Sequence, residues 1–315
     1  MGRIIELNGG HESHHPTDLV GPGLLLALRH SMRYLEFNLG RRPPGAFDQV
    51  EINGSKLATR LDVGAEEVMK ATFWRFAGGA LSDVDLFGEE SLKDGLDLSA
   101  FARPVGLIDA LDGTNNALHV QVNFASTGSV FDPSAPDGSK MIATAIVTPG
   151  GTGYLWDATA NSVRVCEGRG IRPVKGTSGR TSLAGATLAV VAQKRDDVDF
   201  LCMLSHALGG DVLHYGIAGM PIVSKFIDLG LGGLGIDIIA DQGQLAHDSA
   251  PLIFLALKAG AAVLTLDGIP LGEREVERAL LHPGRARLAY VAAASRELAE
   301  RAVTSLGEAT HRRAA

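Results

Sequence analysis

Two aspartates, Asp109 and Asp112, stand three positions apart in the run Ile108-Asp109-Ala110-Leu111-Asp112-Gly113-Thr114-Asn115-Asn116. The apolar residues before them read as a strand, so both carboxylates lie at a strand end with the Leu111 carbonyl between them. Hard divalent cations such as Mg²⁺ take oxygen ligands in octahedral array, and two such aspartates can share or bridge a pair of ions. Gly113 then permits close backbone approach, and the amides of Gly113 and Thr114 offer donors of the kind that hold phosphate at a helix start. Read alone, the same two aspartates also serve as turn formers, with Asp112 capping a helix.

Two more acidic sites bear on that choice. Phe87-Gly88-Glu89-Glu90-Ser91 places adjacent glutamates after an apolar residue and a glycine, and His247-Asp248-Ser249-Ala250-Pro251 places an aspartate at a helix start with proline in the first turn. Singly they are ordinary: paired glutamates commonly form a solvated face, and Asp248 would make a good N-cap.

Taken in order, the segments resemble the motifs of the inositol monophosphatase superfamily of lithium-sensitive magnesium phosphatases. Gly88-Glu89-Glu90 is similar to the family's Gly-Glu-Glu. Asp109-Ala110-Leu111-Asp112-Gly113-Thr114 is similar to its Asp-Pro-Ile-Asp-Gly-Thr, and His247-Asp248-Ser249-Ala250-Pro251 to its Trp-Asp-x-Ala-Ala. Leu57-Ala58-Thr59-Arg60-Leu61-Asp62 resembles Leu-Val-Thr-x-x-Asp, and the likeness continues through Asp267-Gly268-Ile269-Pro270 to Tyr290-Val291-Ala292-Ala293-Ala294.

The resemblance implies an α+β or α/β protein built as a layered α-β-α-β-α sandwich, a homodimer, and two or three Mg²⁺ ions, with Mn²⁺ as a substitute. It assigns Glu89, Asp109, the Leu111 carbonyl, Asp112 and Asp248 to the metals. Catalysis falls to Glu89, Thr114 and Asp62: Glu89 would help hold the first ion, and Thr114 with Asp62 behind it would orient that ion's water for in-line attack on phosphorus. Asp112, Gly113, Thr114, Gly219 and Asp241 face a small phosphorylated metabolite. Asp241 stands seven residues before Asp248, where inositol phosphatases carry a substrate-contacting glutamate. The chain departs from the pattern at Ala110 and His247, neither of which removes a ligand, and at Gly219-Met220-Pro221-Ile222, which lacks the family's hydroxyl. Inositol phosphates, sugar phosphates and nucleotides all stay open as substrates.

The elements that must carry these residues follow from periodicity. Apolar spacing predicts a long helix over 17–39 and a second that starts after Asp62 and ends at Gly78-Gly79. Short strands at 105–108, 120–124, 141–147, 153–157 and 162–166 predict an antiparallel sheet. Beyond residue 181, strands at 187–191, 236–239, 263–266 and 289–293 alternate with helices at 198–208, 221–230, 249–259 and the C-terminus, an α/β pattern. The Gly-, Ser- and Thr-rich stretch 174–185 is the expected boundary between an N-terminal domain, 1–185, and a C-terminal domain, 186–315.

Composition narrows the function classes. A net charge of -7 over 315 residues, with no concentrated basic stripe, speaks against a nucleic-acid partner. The apolar runs are too short for a membrane span, and the first ten residues lack the basic start and apolar stretch of a signal peptide, so a cytoplasmic protein is expected. Two cysteines, Cys166 and Cys202, cannot make a disulfide framework. Gly230-Leu231-Gly232-Gly233-Leu234-Gly235 matches a dinucleotide pattern, but it precedes a strand where the nucleotide fold requires it to follow one, which weakens an oxidoreductase reading. A haloacid-dehalogenase-type phosphatase needs its aspartates two apart. The histidines of His11-Glu12-Ser13-His14-His15 read as a tail. A non-catalytic sugar-phosphate-binding protein of the same fold is the other alternative.

Overall fold

The computed structural model describes residues 16–41, 45, 46, 48–52, 56–89, 92, 96–113, 124–174, 176–191, 213–215 and 236–314. The helices expected at 198–208 and 221–230, the glycine-rich run at 230–235 and the histidine tail lie outside these residues.

Helix α1, Pro16–Arg41, buries Leu24, Leu28, Met32 and Leu35, the one-sided stripe that its sequence spacing predicts. A hairpin of β1 (Gln49–Ile52) and β2 (Lys56–Thr59) leads into α2, Arg60–Arg75. This helix begins three residues earlier than expected, because Thr59 and not Asp62 is its N-cap. Thr59 Oγ1 accepts from the Asp62 N–H at 3.3 Å while Asp62 Oδ2 accepts from the Thr59 N–H at 2.7 Å, a closed capping box.

Among the described residues a seven-stranded sheet follows, in sequential order: β3 (Asp85–Gly88), β4 (Val105–Asp112), β5 (Ala125–Phe131), β6 (Met141–Val147), β7 (Gly153–Asp157), β8 (Arg164–Glu167) and β9 (Gly170–Pro173). It is antiparallel from β4 to β9, and β3 joins it parallel to β4. Of the strand expected at 120–124 only Phe124 lies within the described residues, where it precedes β5, which starts at Ala125. Its small and polar residues, Ala125-Ser126-Thr127-Gly128-Ser129, hide it from an apolar-pattern search, although every one is buried.

Among the described residues a second sheet has five strands in the order β11-β10-β12-β14-β13: β10 (Thr187–Val191), β11 (Leu213–Tyr215), β12 (Ile238–Leu245), β13 (Ala262–Thr265) and β14 (Arg287–Ala293). Helix α3 (Ala246–Lys258) leaves the end of β12, α4 (Glu273–Leu280) follows β13, and α5 (Arg296–Ala314) closes the described chain.

Three apolar clusters define the layering. One joins α1 and α2 to the outer face of the seven-stranded sheet, through Leu28, Phe73, Ile108 and Val130 among others. The second lies between the sheets: Phe131 and Leu107 from one, Tyr290 and Val263 from the other, and α3 buried among them through Leu252, Phe254 and Leu255. The third packs α5 against the far face of the five-stranded sheet through Leu188, Val291, Leu298 and Leu306. The result is the expected α-β-α-β-α sandwich, with α3 and α4 as its middle layer. Helix α3 is apolar all round because it is covered by sheet on both sides. No described helix is long and apolar enough to cross a membrane.

Candidate active site

A bulge in β4 sets the site. Side chains along a regular strand alternate between faces, so residues three apart should point in opposite directions. Asp109 pairs with Thr127 of β5 and Asp112 with Ala125, so a three-residue step on β4 meets a two-residue step on β5. The extra residue restores the phase. Up to it, alternation holds, with Val105 and Leu107 facing the inner core and Ile108 and Ala110 the outer one. Leu111 then also packs outward, and Asp112 comes round to the inner face that Asp109 already occupies. The bulge is fastened on its outer side, where Ser126 Oγ donates to the Ala110 carbonyl at 2.7 Å and Ser31 Oγ from α1 reaches the same oxygen at 3.5 Å. Asp109 Oδ1 accepts from the Leu111 N–H at 3.0 Å. Gly113 leaves the strand at φ 87°, a left-handed turn that favours glycine.

Neighbouring elements bring in the other carboxylates. Gly88 of β3 pairs with Ile108, so the next residue on each strand sets Glu89 beside Asp109. A Cβ at Gly88 would meet the Glu66 carboxylate of α2, the end of a side chain that is ion-paired with Lys70 at 2.5 Å. Asp62 projects from the first turn of α2, its Oδ2 held by the Thr59 hydroxyl at 2.5 Å as well as by the Thr59 N–H. Asp248 lies in the first turn of α3, but the N-cap is Leu245 with no side-chain cap bond, so the expectation that Asp248 itself starts the helix gives way. Its side chain is 16 % exposed and its Oδ1 stands 3.0 Å from His247 Nε2, an ion-pair contact not aligned as a hydrogen bond. His247 Nδ1 lies 3.0 Å from the Pro283 carbonyl, which fixes the ring. Burial pulls the imidazole pKa down, yet Asp248, the Pro283 carbonyl and Glu89 outweigh that and leave it raised.

Asp109 is the focus of the cluster. Burial first, then Glu89, Asp112, Asp248 and Asp62, hold its carboxyl well above the usual carboxylate range. Thus β3, β4, α2 and α3 converge on one place with carboxylates. Among the described residues no three His, Cys, Asp or Glu side chains form a ready-made cage for an ion. The donor chemistry nevertheless fits a hard divalent cation: it is all oxygen and anionic, and its mutual repulsion is what a cation relieves.

Asp241 lies on β12 and is 2 % exposed, so it is not the solvated turn residue that its position before Gly243 allows. Its Oδ1 accepts from the N–H groups of Gly243 at 2.8 Å and Gln244 at 3.2 Å, where β12 bulges against β14. Across the ladder from Asp241 stands Tyr290, fully buried on the same inner face. Burial, then Asp241, then Asp112 hold its phenol well above the ordinary tyrosine range. Tyr290, Ser126, Ser31 and Glu66 are site neighbours that the sequence did not single out. Their residue types are common in cores and on helices, and only the register of the strands reveals them. Thr114 and Gly219 lie outside the described residues.

No family model matches the sequence, and no curated protein matches it significantly. Solved structures do. The chain is similar to an IMPase of Thermotoga maritima with a TM-score of 0.65 and 15 % identity, over 91 % of this chain and 96 % of that one. It is similar to Mycobacterium tuberculosis SuhB with a TM-score of 0.64 and 17 % identity, over 94 % and 98 %. Similar too is the inositol monophosphatase II of Staphylococcus aureus, solved with inositol monophosphate bound (TM-score 0.57, 15 % identity, 93 % and 96 %) and with 2'AMP bound. The fold is that of the inositol monophosphatases.

Proposed function

We propose that this chain is a phosphatase that hydrolyses a small phosphate monoester with divalent cations, Mg²⁺ first among them, held by Glu89, Asp109, the Leu111 carbonyl, Asp112 and Asp248. The observation that carries this reading is the bulge that turns both Asp109 and Asp112 into one carboxylate cluster at the inner edge of β4. A strand in the protein core gains nothing from such repulsion unless a cation uses it.

Bound there, Mg²⁺ would neutralise phosphate charge and acidify an attacking water. The chain's own residues supply the rest. Asp109 stands where all the other carboxylates meet, and His247 holds Asp248 toward them. Gly113 leaves the backbone open for close approach of a phosphate. Asp62, tied down by Thr59, is a fixed acceptor beside the cluster and with Thr114 is assigned to orienting the water. Asp241 is assigned to a hydroxyl of the alcohol moiety.

One structural neighbour, the inositol monophosphatase II of Staphylococcus aureus, was solved with inositol monophosphate and with 2'AMP, so polyol phosphates and nucleotides head the substrate classes. The test is phosphate release from a panel of inositol phosphates, sugar phosphates and nucleotides with Mg²⁺ and with excess chelator. Metal-dependent release from at least one ester is expected. Release that persists in chelator would overturn the metal assignment, and no release from any ester with Mg²⁺ or Mn²⁺ would favour a binding protein of this fold.

A further inference from the structure

His247 carries a ring nitrogen that the fold leaves unused. The ring lies on the first turn of α3 with 3 % of its side chain exposed, and its two nitrogens have different neighbours. Nδ1 is 3.0 Å from the Pro283 carbonyl, which can only accept, so Nδ1 bears the hydrogen and donates. In the neutral ring that leaves Nε2 with a bare lone pair. Among the described residues Nε2 makes no hydrogen bond, although it is shut off from solvent. A buried polar atom without a partner is costly unless something else engages it.

What engages it follows from Asp248. Its Oδ1 stands 3.0 Å from Nε2, but off the line along which the two could share a proton. Ligands on adjacent corners of an octahedron with bonds of about 2.1 Å stand about 3 Å apart, and the ion lies to one side of the line that joins them. The His247–Asp248 pair has that spacing and that misalignment. An imidazole whose far nitrogen donates to a carbonyl is also set in the way that proteins set a metal-binding ring. Glu89, assigned to the same cations, acts on the ring electrostatically, in keeping with a ring turned toward the cluster.

We propose that His247 Nε2 is a ligand to the cation that Asp248 holds, which makes this position a mixed nitrogen and oxygen site that takes a first-row transition ion such as Fe²⁺ or Co²⁺ in preference to Mg²⁺. Imidazole nitrogen strengthens the binding of transition ions, whereas Mg²⁺ keeps to oxygen. The proposal rests on the cation assignment of the phosphatase reading and not on turnover, and its test is made on the bound ion.

The experiment loads the full chain and His247→Gln with one to three equivalents of Mn²⁺ as a spin probe and records electron spin echo envelope modulation, with circular dichroism to check the fold. The wild type is expected to show the hyperfine coupling of a directly bound imidazole nitrogen, and His247→Gln to lose it. Displacement of Mn²⁺ by Co²⁺ and by Mg²⁺, followed through the free ion, supplies the second readout. The advantage of Co²⁺ over Mg²⁺ should fall at least about 10-fold in the variant, since even an outer partner of a metal ligand is worth that much. His247→Asn is the second variant, should His247→Gln not fold. Bound Mn²⁺ without nitrogen coupling in the wild type overturns the proposal and leaves the cation assignment standing. Coupling that survives in the variant assigns the nitrogen to another histidine, which also overturns it. So does an equal loss of Co²⁺ and Mg²⁺ binding, which would mean that His247 serves to position Asp248. A wild type that binds no Mn²⁺ sinks the cation assignment and the proposal with it, whereas nitrogen coupling without phosphate release leaves His247 its role and sinks the phosphatase reading alone.

Discussion

Asp109 is where charge and function pull in opposite directions. Its carboxyl is buried and pressed by other carboxylates, so neutralising it should relieve the metal-free protein while removing a cation ligand. Asp109→Asn is expected to melt higher than the wild type in chelator and to lose turnover by on the order of 10²-fold or more with Mg²⁺. Differential scanning calorimetry and a phosphate-release assay check the two halves, and a variant that melts lower in chelator would contradict the electrostatic account. Asp241 should behave differently. Asp241→Ala is expected to cut kcat/KM on a hydroxyl-bearing ester about 10- to 100-fold more than on an aryl phosphate. It also removes the acceptor for Gly243 and Gln244, so some stability goes with it. Equal losses on both esters would mean that the turn, not the substrate, is what Asp241 serves. At this scale the sequence showed an Asp-x-x-Asp-Gly run at a strand end, and only its order with Glu89 and Asp248 set the metal reading above that of a turn. Tyr290 was not legible, since a tyrosine in an apolar run reads as core until its cross-strand partner is known.

The elements matter through register. Without the one-residue bulge in β4, Asp112 would face the α1 and α2 layer, and the serines behind the bulge hold it open. Ser126→Ala should cost about 1 kcal/mol of stability. It should also lower kcat about 10-fold through a misplaced Asp112. Denaturant unfolding and steady-state kinetics on one preparation separate these effects, and a loss of stability with kcat intact would assign Ser126 to the fold alone. Strands β6, β7 and β10 were legible to the residue because each is a short apolar run between turn residues. Strands β3 and β5 were not. Asp85-Leu86-Phe87-Gly88 is too short to show a period, and the Ala, Ser, Thr and Gly of β5 are buried for close strand packing, not for hydrophobicity. The start of α2 was misplaced because Asp62 and Thr59 are both plausible caps, and the capping box uses the two together.

For the whole molecule, the layering puts the carboxylates of β3, β4 and α2 opposite the N-terminus of α3, at the junction of two sheets that share one apolar core. Helix α3, sandwiched between the sheets, carries Asp248 into that junction, where the positive end of the helix offsets part of its charge. The layered architecture was legible from the motif order, although most of the individual contacts were not. Stability should follow the same charges. The folded Asp109 pKa lies above its unfolded value, so the protonated form favours the folded chain at low pH, and that contribution is lost as pH rises through the raised pKa. In chelator the melting temperature should therefore fall as pH rises above the ordinary carboxylate range, and Mg²⁺ should restore it most at the higher pH. A Mg²⁺ effect that shrinks as pH rises would contradict this. The most direct measurement is titration of the full chain and of Asp109→Asn with Mn²⁺, following the free ion by electron paramagnetic resonance. The account predicts two or three bound ions in the wild type and a loss of at least one in the variant; equal binding by both, or none by the wild type, would contradict it.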